Sequence, residues 1–200
     1  MIKNIILDFG DIFINLDKPA TAREMIKFGF SGVTPELSLL FLAYEKGALD
    51  SQKFLEQVSG YFPEAREHDL VQAWNAILKD FPDERLTFLE QLAEENQHRL
   101  FLLSNTNDLH IEYIKQQMGM EKFNRFKDAF EVFYLSYEMG MSKPDAEIFE
   151  FVLEQNDLTP SETLFVDDTK ENTDAAAELG IQTWNLLVGQ EDITQLKHYL

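Results

Sequence analysis

Six residues that could carry out chemistry stand at the ends of short apolar runs in this sequence, or in the loop that follows such a run. Apolar runs of this length, bounded by turn-forming residues, are typical of buried strands. The six residues are, in chain order, Asp8, Ser104, Asn105, Lys143, Asp167 and Asp168. In open α/β sheets, ligands bind outside the carboxyl ends of the strands. The sequence therefore predicts one site that combines three carboxylates, an ammonium group, a hydroxyl and an amide.

Three carboxylates in one cleft repel each other unless a cation lies between them. Mg²⁺ takes oxygen ligands, binds through one or two carboxylates and keeps several of its waters. Lys143 would then balance the remaining negative charge, while Ser104 and Asn105 could donate hydrogen bonds to an oxyanion. A metal ion, a lysine, hydrogen-bond donors and a carboxylate nucleophile are the parts that phosphoryl transfer requires.

Each of these residues also has an ordinary structural explanation, which is the more common one when it is considered alone. An aspartate after a strand is often a turn or cap residue. Asn105 could begin the next helix, and Lys143 could be a solvent-exposed loop residue. The observation that favours a site is that four separate strand ends carry the required groups together.

The elements that would position these residues alternate between strands and helices over most of the chain. The predicted strands are 4–8, 99–105, 131–136, 163–168 and 181–187, and the predicted helices between them are 108–118, 144–155 and 170–179. This alternation predicts a Rossmann-like three-layer α/β/α core with a mainly parallel sheet. From about residue 18 to 95 the periodicity is helical only, which predicts a small all-helical cap inserted after the first strand. The predicted boundaries are 1–16 and 91–200 for the core and 17–90 for the cap.

Composition narrows the classes of function. The chain has 200 residues, 36 of them acidic and 17 basic, for a net charge of −19. It shows no basic cluster of the kind that binds nucleic-acid phosphates, and an anionic substrate would need local cations or a metal ion. There is no cysteine and no apolar run of transmembrane length. We expect a cytoplasmic protein with a small-molecule substrate and no membrane partner, for which a monomer is plausible.

Four stretches of the sequence resemble, in order, the four motifs of the haloacid dehalogenase superfamily. They are ILDFGDIFIN, LLSNTN, MGMSKPDAEIF and LFVDDTKEN. The insertion at about 18–90 corresponds to the helical cap of one subclass, and the D-x-G form of the first motif resembles bacterial sugar-phosphate phosphatases, including glucose-1-phosphatase-like members. The resemblance implies a Mg²⁺-dependent phosphatase that hydrolyses a small phosphate monoester, such as a sugar phosphate.

The resemblance also implies a role for each matching residue. Asp8 attacks phosphorus and becomes an aspartyl-phosphate, and Lys143 stabilises the nucleophile and the transferring group. Ser104 and the backbone N–H of Asn105 hold phosphoryl oxygens. The implied metal ligands are Asp8, the carbonyl of Gly10, Asp168 directly, and Asp167 directly or through a water, with Asn172 orienting them.

Gly10 is a departure from the family pattern. Most phosphatases of the family have a second aspartate there, which protonates the leaving group and later deprotonates the attacking water. General acid–base catalysis is typically worth about 10²–10⁴-fold, so an alternative is a catalytically weak phosphate-binding or regulatory protein. Asp11 lies one residue later, where an extended backbone points the side chain to the opposite side. We expect Asp11 to be structural. A mutase, which needs the second aspartate, and a dehalogenase, which needs no Mg²⁺, fit less well.

The loop from 44 to 50 interrupts the helical pattern of the cap, with Gly47 as the turn residue. In the resembled family this loop commonly faces the active site. Lys46 is therefore a predicted substrate-binding residue, and Glu45 is a second candidate contact. A solvent-exposed turn explains the same residues equally well.

Overall fold

The computed structural model describes residues 1–200 and contains one five-stranded sheet. The strands are β1 (Asn4–Leu7), β2 (Arg99–Ser104), β3 (Val132–Leu135), β4 (Thr163–Asp167) and β5 (Gln182–Asn185). Every pairing is parallel, and the order across the sheet is β3-β2-β1-β4-β5. The predicted α/β class with a parallel sheet is confirmed.

The register of the sheet brings the predicted site residues to one edge. All four residues of β1 are buried, as expected for a central parallel strand covered on both faces. Leu7 pairs with Leu102 of β2 on one side and with Val166 of β4 on the other. Asp8 therefore leaves the sheet beside the carboxyl ends of both neighbouring strands.

Ten α-helices follow β1 along the chain. They are α1 (Ala20–Met25), α2 (Pro35–Glu45), α3 (Ser51–Tyr61), α4 (Glu67–Asn75), α5 (Asp83–Glu95), α6 (Asp108–Met118), α7 (Met120–Asp128), α8 (Ser136–Met139), α9 (Ala146–Gln155) and α10 (Lys170–Glu178). Short 3₁₀ helices cover Ile26–Phe28, Pro160–Glu162 and Ile193–Tyr199. None of these helices is both long enough and apolar enough to cross a membrane.

Apolar packing divides the molecule into three clusters. Buried side chains of α5, α6 and α7 pack on one face of the sheet, and those of α9 and α10 pack on the other. This is the three-layer arrangement predicted from the sequence. The third cluster joins α2, α3 and α4 around Tyr44 and Phe54, whose rings stack with centroids 4.0 Å apart. It forms the core of the helical insertion after β1.

The last helix before β2 packs with the sheet and not with the insertion. Leu86, Leu89 and Leu92 of α5 are buried in the cluster that covers the sheet. The buried residues of the cap cluster end at Ala73. The boundaries 17–90 remain a prediction, and this packing leads us to propose that the cap ends before α5.

Candidate active site

A buried lysine lies between two buried carboxylates at the carboxyl edge of the sheet. Lys143 Nζ is 2.7 Å from Asp8 Oδ1 and 2.6 Å from Asp167 Oδ2. All three side chains are buried, and Asp167 is completely so. Charged groups are seldom buried unless they are paired. One ammonium group therefore compensates two carboxylates that the central strands bring together.

The backbone and α10 orient Asp167. Its Oδ1 accepts a hydrogen bond from the backbone N–H of Thr169 at 2.8 Å, and its Oδ2 accepts one from Asn172 Nδ2 at 3.0 Å. Asn185 Nδ2 donates to the carbonyl of Asp168 at 2.9 Å and so holds the segment that carries both aspartates. Asn172 therefore contacts one of the implied metal ligands, and its role in orienting them remains a prediction.

Asn105 positions the lysine loop. Its Nδ2 donates to the carbonyl of Lys143 at 2.8 Å, and its Oδ1 accepts from the N–H of Lys143 at 2.9 Å. The side chain of Asn105 is therefore occupied by the backbone of Lys143. Ser104, the last residue of β2, is buried beside it, and its hydroxyl makes no hydrogen bond within the protein.

The acidic residues form a cluster suited to a divalent cation. One carboxylate oxygen from each of Asp8, Asp167 and Asp168 lies within 4.8 Å of the others. The donor set is made only of carboxylate oxygens, the ligand type that hard cations such as Mg²⁺ prefer. Lys18 Nζ contacts Asp168 Oδ2 at 2.6 Å on the exposed side of this cluster. No motif in the sequence marks Lys18.

The electrostatics of Asp8 also favour a cation. Burial raises the pKa of Asp8 to about 7, with Lys143 opposing the shift and Asp167 adding to it. A nucleophilic carboxylate must be ionised. A positive charge placed among the three aspartates would lower the pKa of Asp8 and favour the ionised form.

Asp11 is engaged in the turn that follows β1. It adopts a left-handed backbone with φ of 54°. Its Oδ1 accepts a hydrogen bond from the N–H of Leu16 at 2.9 Å, and its Oδ2 lies 3.2 Å from Lys18 Nζ. Both carboxylate oxygens are thus engaged in the turn after β1. This geometry agrees with the expectation that Asp11 is structural.

Leu16 fills the space in front of Gly10. A Cβ atom on residue 10 would come within 2.9 Å of Leu16 Cδ1, and it would lie 3.9 Å from Asp8 Oδ2. The position where the family's second aspartate would begin is therefore occupied by an apolar side chain. Only the backbone of residue 10 approaches the nucleophile.

Comparison with known proteins assigns the chain to a family. The family model described as haloacid dehalogenase-like hydrolase matches residues 3–180. The chain belongs to the haloacid dehalogenase-like hydrolases. The resemblance of the four sequence motifs to this family is therefore confirmed.

Two relatives of this haloacid dehalogenase-like hydrolase come from Bacteroides thetaiotaomicron. The D-ribitol-5-phosphate phosphatase is 30% identical over 190 residues, which is 92% of this chain and 91% of that protein. A HAD family enzyme solved as its magnesium complex is 36% identical, with a TM-score of 0.88 over 98% of both chains. A structure of the same enzyme with magnesium and inorganic phosphate is 34% identical, with a TM-score of 0.82 over 96% of this chain and 97% of that one.

A cavity of about 260 Å³ lies between the cap and the core of this hydrolase. Gly10, Ser104 and Asn105 line it from the core, while Glu45 and Trp74 line it from the cap. Gly10 and Asn105 also line an adjoining opening, which contains Asp8, Lys143 and Asp168.

Lys46 lies elsewhere. Its Nζ is paired with Asp145 Oδ2 at 2.6 Å, two residues after Lys143, and it does not line the cavity. In this structure Lys46 joins the cap to the lysine loop, and its role in substrate binding remains a prediction.

The loop after α2 docks tightly on α8. Ser136 Oγ donates to the carbonyl of Glu45 at 2.8 Å. Gly47 has a φ of +68°, and a Cβ atom there would overlap the carbonyl oxygen of Tyr137. Glycine is therefore required at this position both by its backbone conformation and by the close approach of the two segments.

The substitution Gly47→Ala should weaken this docking. A side chain in a left-handed conformation costs roughly 1–2 kcal/mol, and overlap in a packed interface typically adds about 1–3 kcal/mol. Gly140→Ala is the matched control, because Gly140 has a φ of +74° with open space around it. Urea unfolding should show a larger loss of stability for Gly47→Ala. Equal losses would mean that the contact with Tyr137 is unimportant.

A ring of hydrogen bonds joins the cap to α6. Trp74 Nε1 donates to Asn107 Oδ1 at 3.2 Å, and Asn107 Nδ2 lies 3.1 Å from His110 Nδ1. His110 Nε2 lies 3.2 Å from the carbonyl of Trp74. These contacts fit a neutral histidine that accepts at Nδ1 and donates at Nε2. No motif in the sequence marks this contact between Trp74 and His110.

Protonation of His110 should weaken these hydrogen bonds between the cap and α6. Burial lowers the pKa of His110 from 6.5 to about 4, so the folded state binds this proton less readily than the unfolded state. The contribution of His110 to the free energy of unfolding should be fully present above pH 6.5. It should be lost as the pH falls from 6.5 to 4, by about 3 kcal/mol in total. Urea unfolding across this range should show a shallower loss in His110→Gln than in wild type. His198→Gln, at an exposed histidine, should follow wild type. Identical profiles for all three proteins would contradict this assignment.

Proposed function

We propose that this protein is a Mg²⁺-dependent phosphatase that hydrolyses a small phosphate monoester through an aspartyl-phosphate on Asp8. The observation that carries the proposal is the position of Asp8. It directly follows the central strand, contacts a buried lysine at 2.7 Å and belongs to a cluster of three carboxylates. This is the arrangement that an activated carboxylate nucleophile requires.

The residues of the cluster fit the cation that the relatives contain. Asp8, Asp167 and Asp168 would hold Mg²⁺, together with the backbone carbonyl of Gly10. When bound, the ion supplies positive charge that offsets the phosphoryl oxygens and the carboxylates around them. The magnesium complexes of the related enzyme support this assignment.

The side chains around Asp8 orient it and bind the phosphoryl oxygens. Lys143 keeps the Asp8 carboxylate oriented through its 2.7 Å contact and donates to a phosphoryl oxygen at the same edge. Ser104 offers a hydroxyl with no partner in the protein, which is free to donate to a second oxygen. Asn105 acts through Lys143, whose backbone it holds on both sides. Water attack on phosphorus then releases phosphate and regenerates Asp8.

The substrate that we propose is the phosphate ester of a sugar alcohol, with D-ribitol 5-phosphate as the first candidate. The phosphatase of Bacteroides thetaiotaomicron that supports it matches this chain over nearly its whole length. D-ribitol 5-phosphate is a primary phosphate ester of an open-chain polyol. The similarity to this relative therefore favours a sugar-alcohol phosphate over the glucose 1-phosphate that the first motif suggests. The cavity of about 260 Å³ accommodates such a small leaving group.

A panel of esters tests the substrate class. Release of inorganic phosphate with Mg²⁺ is measured for D-ribitol 5-phosphate, glucose 1-phosphate and p-nitrophenyl phosphate, each with and without EDTA. The proposal predicts the highest kcat/KM for D-ribitol 5-phosphate and loss of turnover with EDTA. A higher kcat/KM for glucose 1-phosphate would contradict the substrate class.

The second candidate function is a phosphate-binding protein with little turnover, which the apolar Leu16 in front of Gly10 favours. Such a protein would bind Mg²⁺ and phosphate but release no phosphate from any ester of the panel. Isothermal titration with Mg²⁺ and inorganic phosphate, run beside the panel, distinguishes the two functions.

A further inference from the structure

One acidic side chain of the cap lines the cavity between the cap and the core. Glu45, the last residue of α2, lines the cavity together with Gly10, Leu16 and Ser104. It is the one acidic residue in that lining. Gly10 and Asn105 line both this cavity and the adjoining opening that contains Asp8 and Lys143.

The carboxylate of Glu45 is partly buried and unpaired. It makes no hydrogen bond, and the charges that act on it are Lys143 of the core and Lys46 of its own loop. Lys46 is itself paired with Asp145 at 2.6 Å. A carboxylate withdrawn from water usually finds a partner in the protein. A partner here can come from a ligand in the cavity.

The other titratable groups near the nucleophile are engaged in hydrogen bonds or exposed to solvent. Asp11 uses both oxygens in the turn that follows β1. His110 uses both ring nitrogens in the seam with Trp74 and Asn107. Glu171 lines the adjoining opening that contains Asp8 and Asp168, but its side chain is exposed to solvent. Glu45 alone combines a place in the cavity with a free carboxyl group.

We infer that Glu45 is the general acid and base of the reaction and takes over the task of the aspartate absent at position 10. The inference rests on the proposed function and extends it. Burial raises the pKa of Glu45, with Lys143 and Lys46 opposing the shift, which favours the protonated form that the first step needs. The acid is supplied by the cap and not by the nucleophile strand, so cap docking and proton transfer are coupled.

The proton balance is complete with this one group. As an Asp8 oxygen bonds to phosphorus and the ester P–O bond breaks, the carboxylic acid of Glu45 gives its proton to the leaving alkoxide. In the second step the Glu45 carboxylate takes a proton from water while the water oxygen attacks phosphorus. The bond between phosphorus and Asp8 breaks, inorganic phosphate leaves, and Glu45 is protonated again.

Leaving-group chemistry tests this role. An alkoxide needs a proton as it leaves, whereas p-nitrophenolate leaves without one. Glu45→Gln should therefore reduce turnover of D-ribitol 5-phosphate by about 10²–10⁴-fold. With p-nitrophenyl phosphate the first step should remain fast, giving a burst of p-nitrophenol before a slow steady state limited by the attack of water. Glu36→Gln, at an exposed residue in the first turn of the same helix, should behave as wild type on both esters.

The outcomes separate the inference from the function on which it rests. A Glu45→Gln enzyme that keeps wild-type turnover of D-ribitol 5-phosphate would overturn the role of Glu45 while leaving the phosphatase intact. Equal losses on both esters without a burst would also overturn it, since they would indicate substrate binding or cap structure. A wild-type protein inactive on both esters would contradict the proposed function and, with it, this inference.

Discussion

The substitution Asp8→Asn should reduce phosphate release by at least about 10⁴-fold, the order seen when an enzyme loses its nucleophile. The amide has nearly the same shape as the carboxylate, but it cannot attack phosphorus. The fold should be preserved, because Lys143 keeps its 2.6 Å contact with Asp167. Steady-state assays with Mg²⁺ and a thermal melt of the same preparation measure both quantities.

Asp11→Asn is the matched control for this experiment, since it changes a neighbouring buried carboxylate in the same way. Asn Oδ1 can still accept the hydrogen bond from Leu16 N–H, so only the contact with Lys18 is weakened. We expect Asp11→Asn to retain far more activity than Asp8→Asn. Equal loss in both variants, with both proteins folded, would contradict the structural role of Asp11.

The substitution Lys143→Met should affect stability as strongly as activity. It removes the one buried cation from between Asp8 and Asp167 and leaves two uncompensated buried carboxylates. Breaking a buried ion pair from one side costs about 3–5 kcal/mol. Urea unfolding without metal should show a loss of this order, and added Mg²⁺ should restore part of it by supplying positive charge at the same place.

Lys46→Met is the control for Lys143→Met. Lys46 also forms a close pair with a carboxylate, but both partners are partly exposed to solvent. Such pairs contribute about 0–1 kcal/mol, so Lys46→Met should stay near wild type in stability. A loss for Lys143→Met no larger than this control would show that burial of the lysine pair contributes little.

The sheet and its edge were predictable from the sequence because of how a parallel sheet is built. A central strand such as β1 is buried on both faces, so it appears as a short apolar run that ends at the first polar residue. At the ends of β1 and β4 those polar residues are Asp8 and Asp167. The pairing register then brings them together without any further information.

Elements held by tertiary packing were harder to predict. The helix α7, Met120–Asp128, was not assigned from the sequence. It is nine residues long, and only Phe123 and Phe126 among them are buried. Short helices of this kind are stabilised mainly by packing against the rest of the fold. The 3₁₀ helix at Ile193–Tyr199 was missed as well, and two of its residues, Ile193 and Leu196, are buried in the sheet cluster.

The details of the site that escaped prediction all depend on contacts between distant segments. Lys18 reaches Asp168 across 150 positions of the chain. Leu16 fills the space in front of Gly10 because the turn after β1 folds back on itself. Glu45 was a candidate substrate contact in the sequence, but its place beside Gly10 depends on how the cap closes on the core.

The measurement that tests the central claim most directly is a chemical search for phosphorylated Asp8. Protein turning over D-ribitol 5-phosphate with Mg²⁺ is quenched in acid, treated with borohydride and digested, and the peptide that contains Asp8 is examined by mass spectrometry. An aspartyl-phosphate at Asp8 is reduced to homoserine, so wild type should yield that product and Asp8→Asn should not. Turnover without any modification of Asp8, or with modification of another carboxylate, would contradict the mechanism proposed for this enzyme.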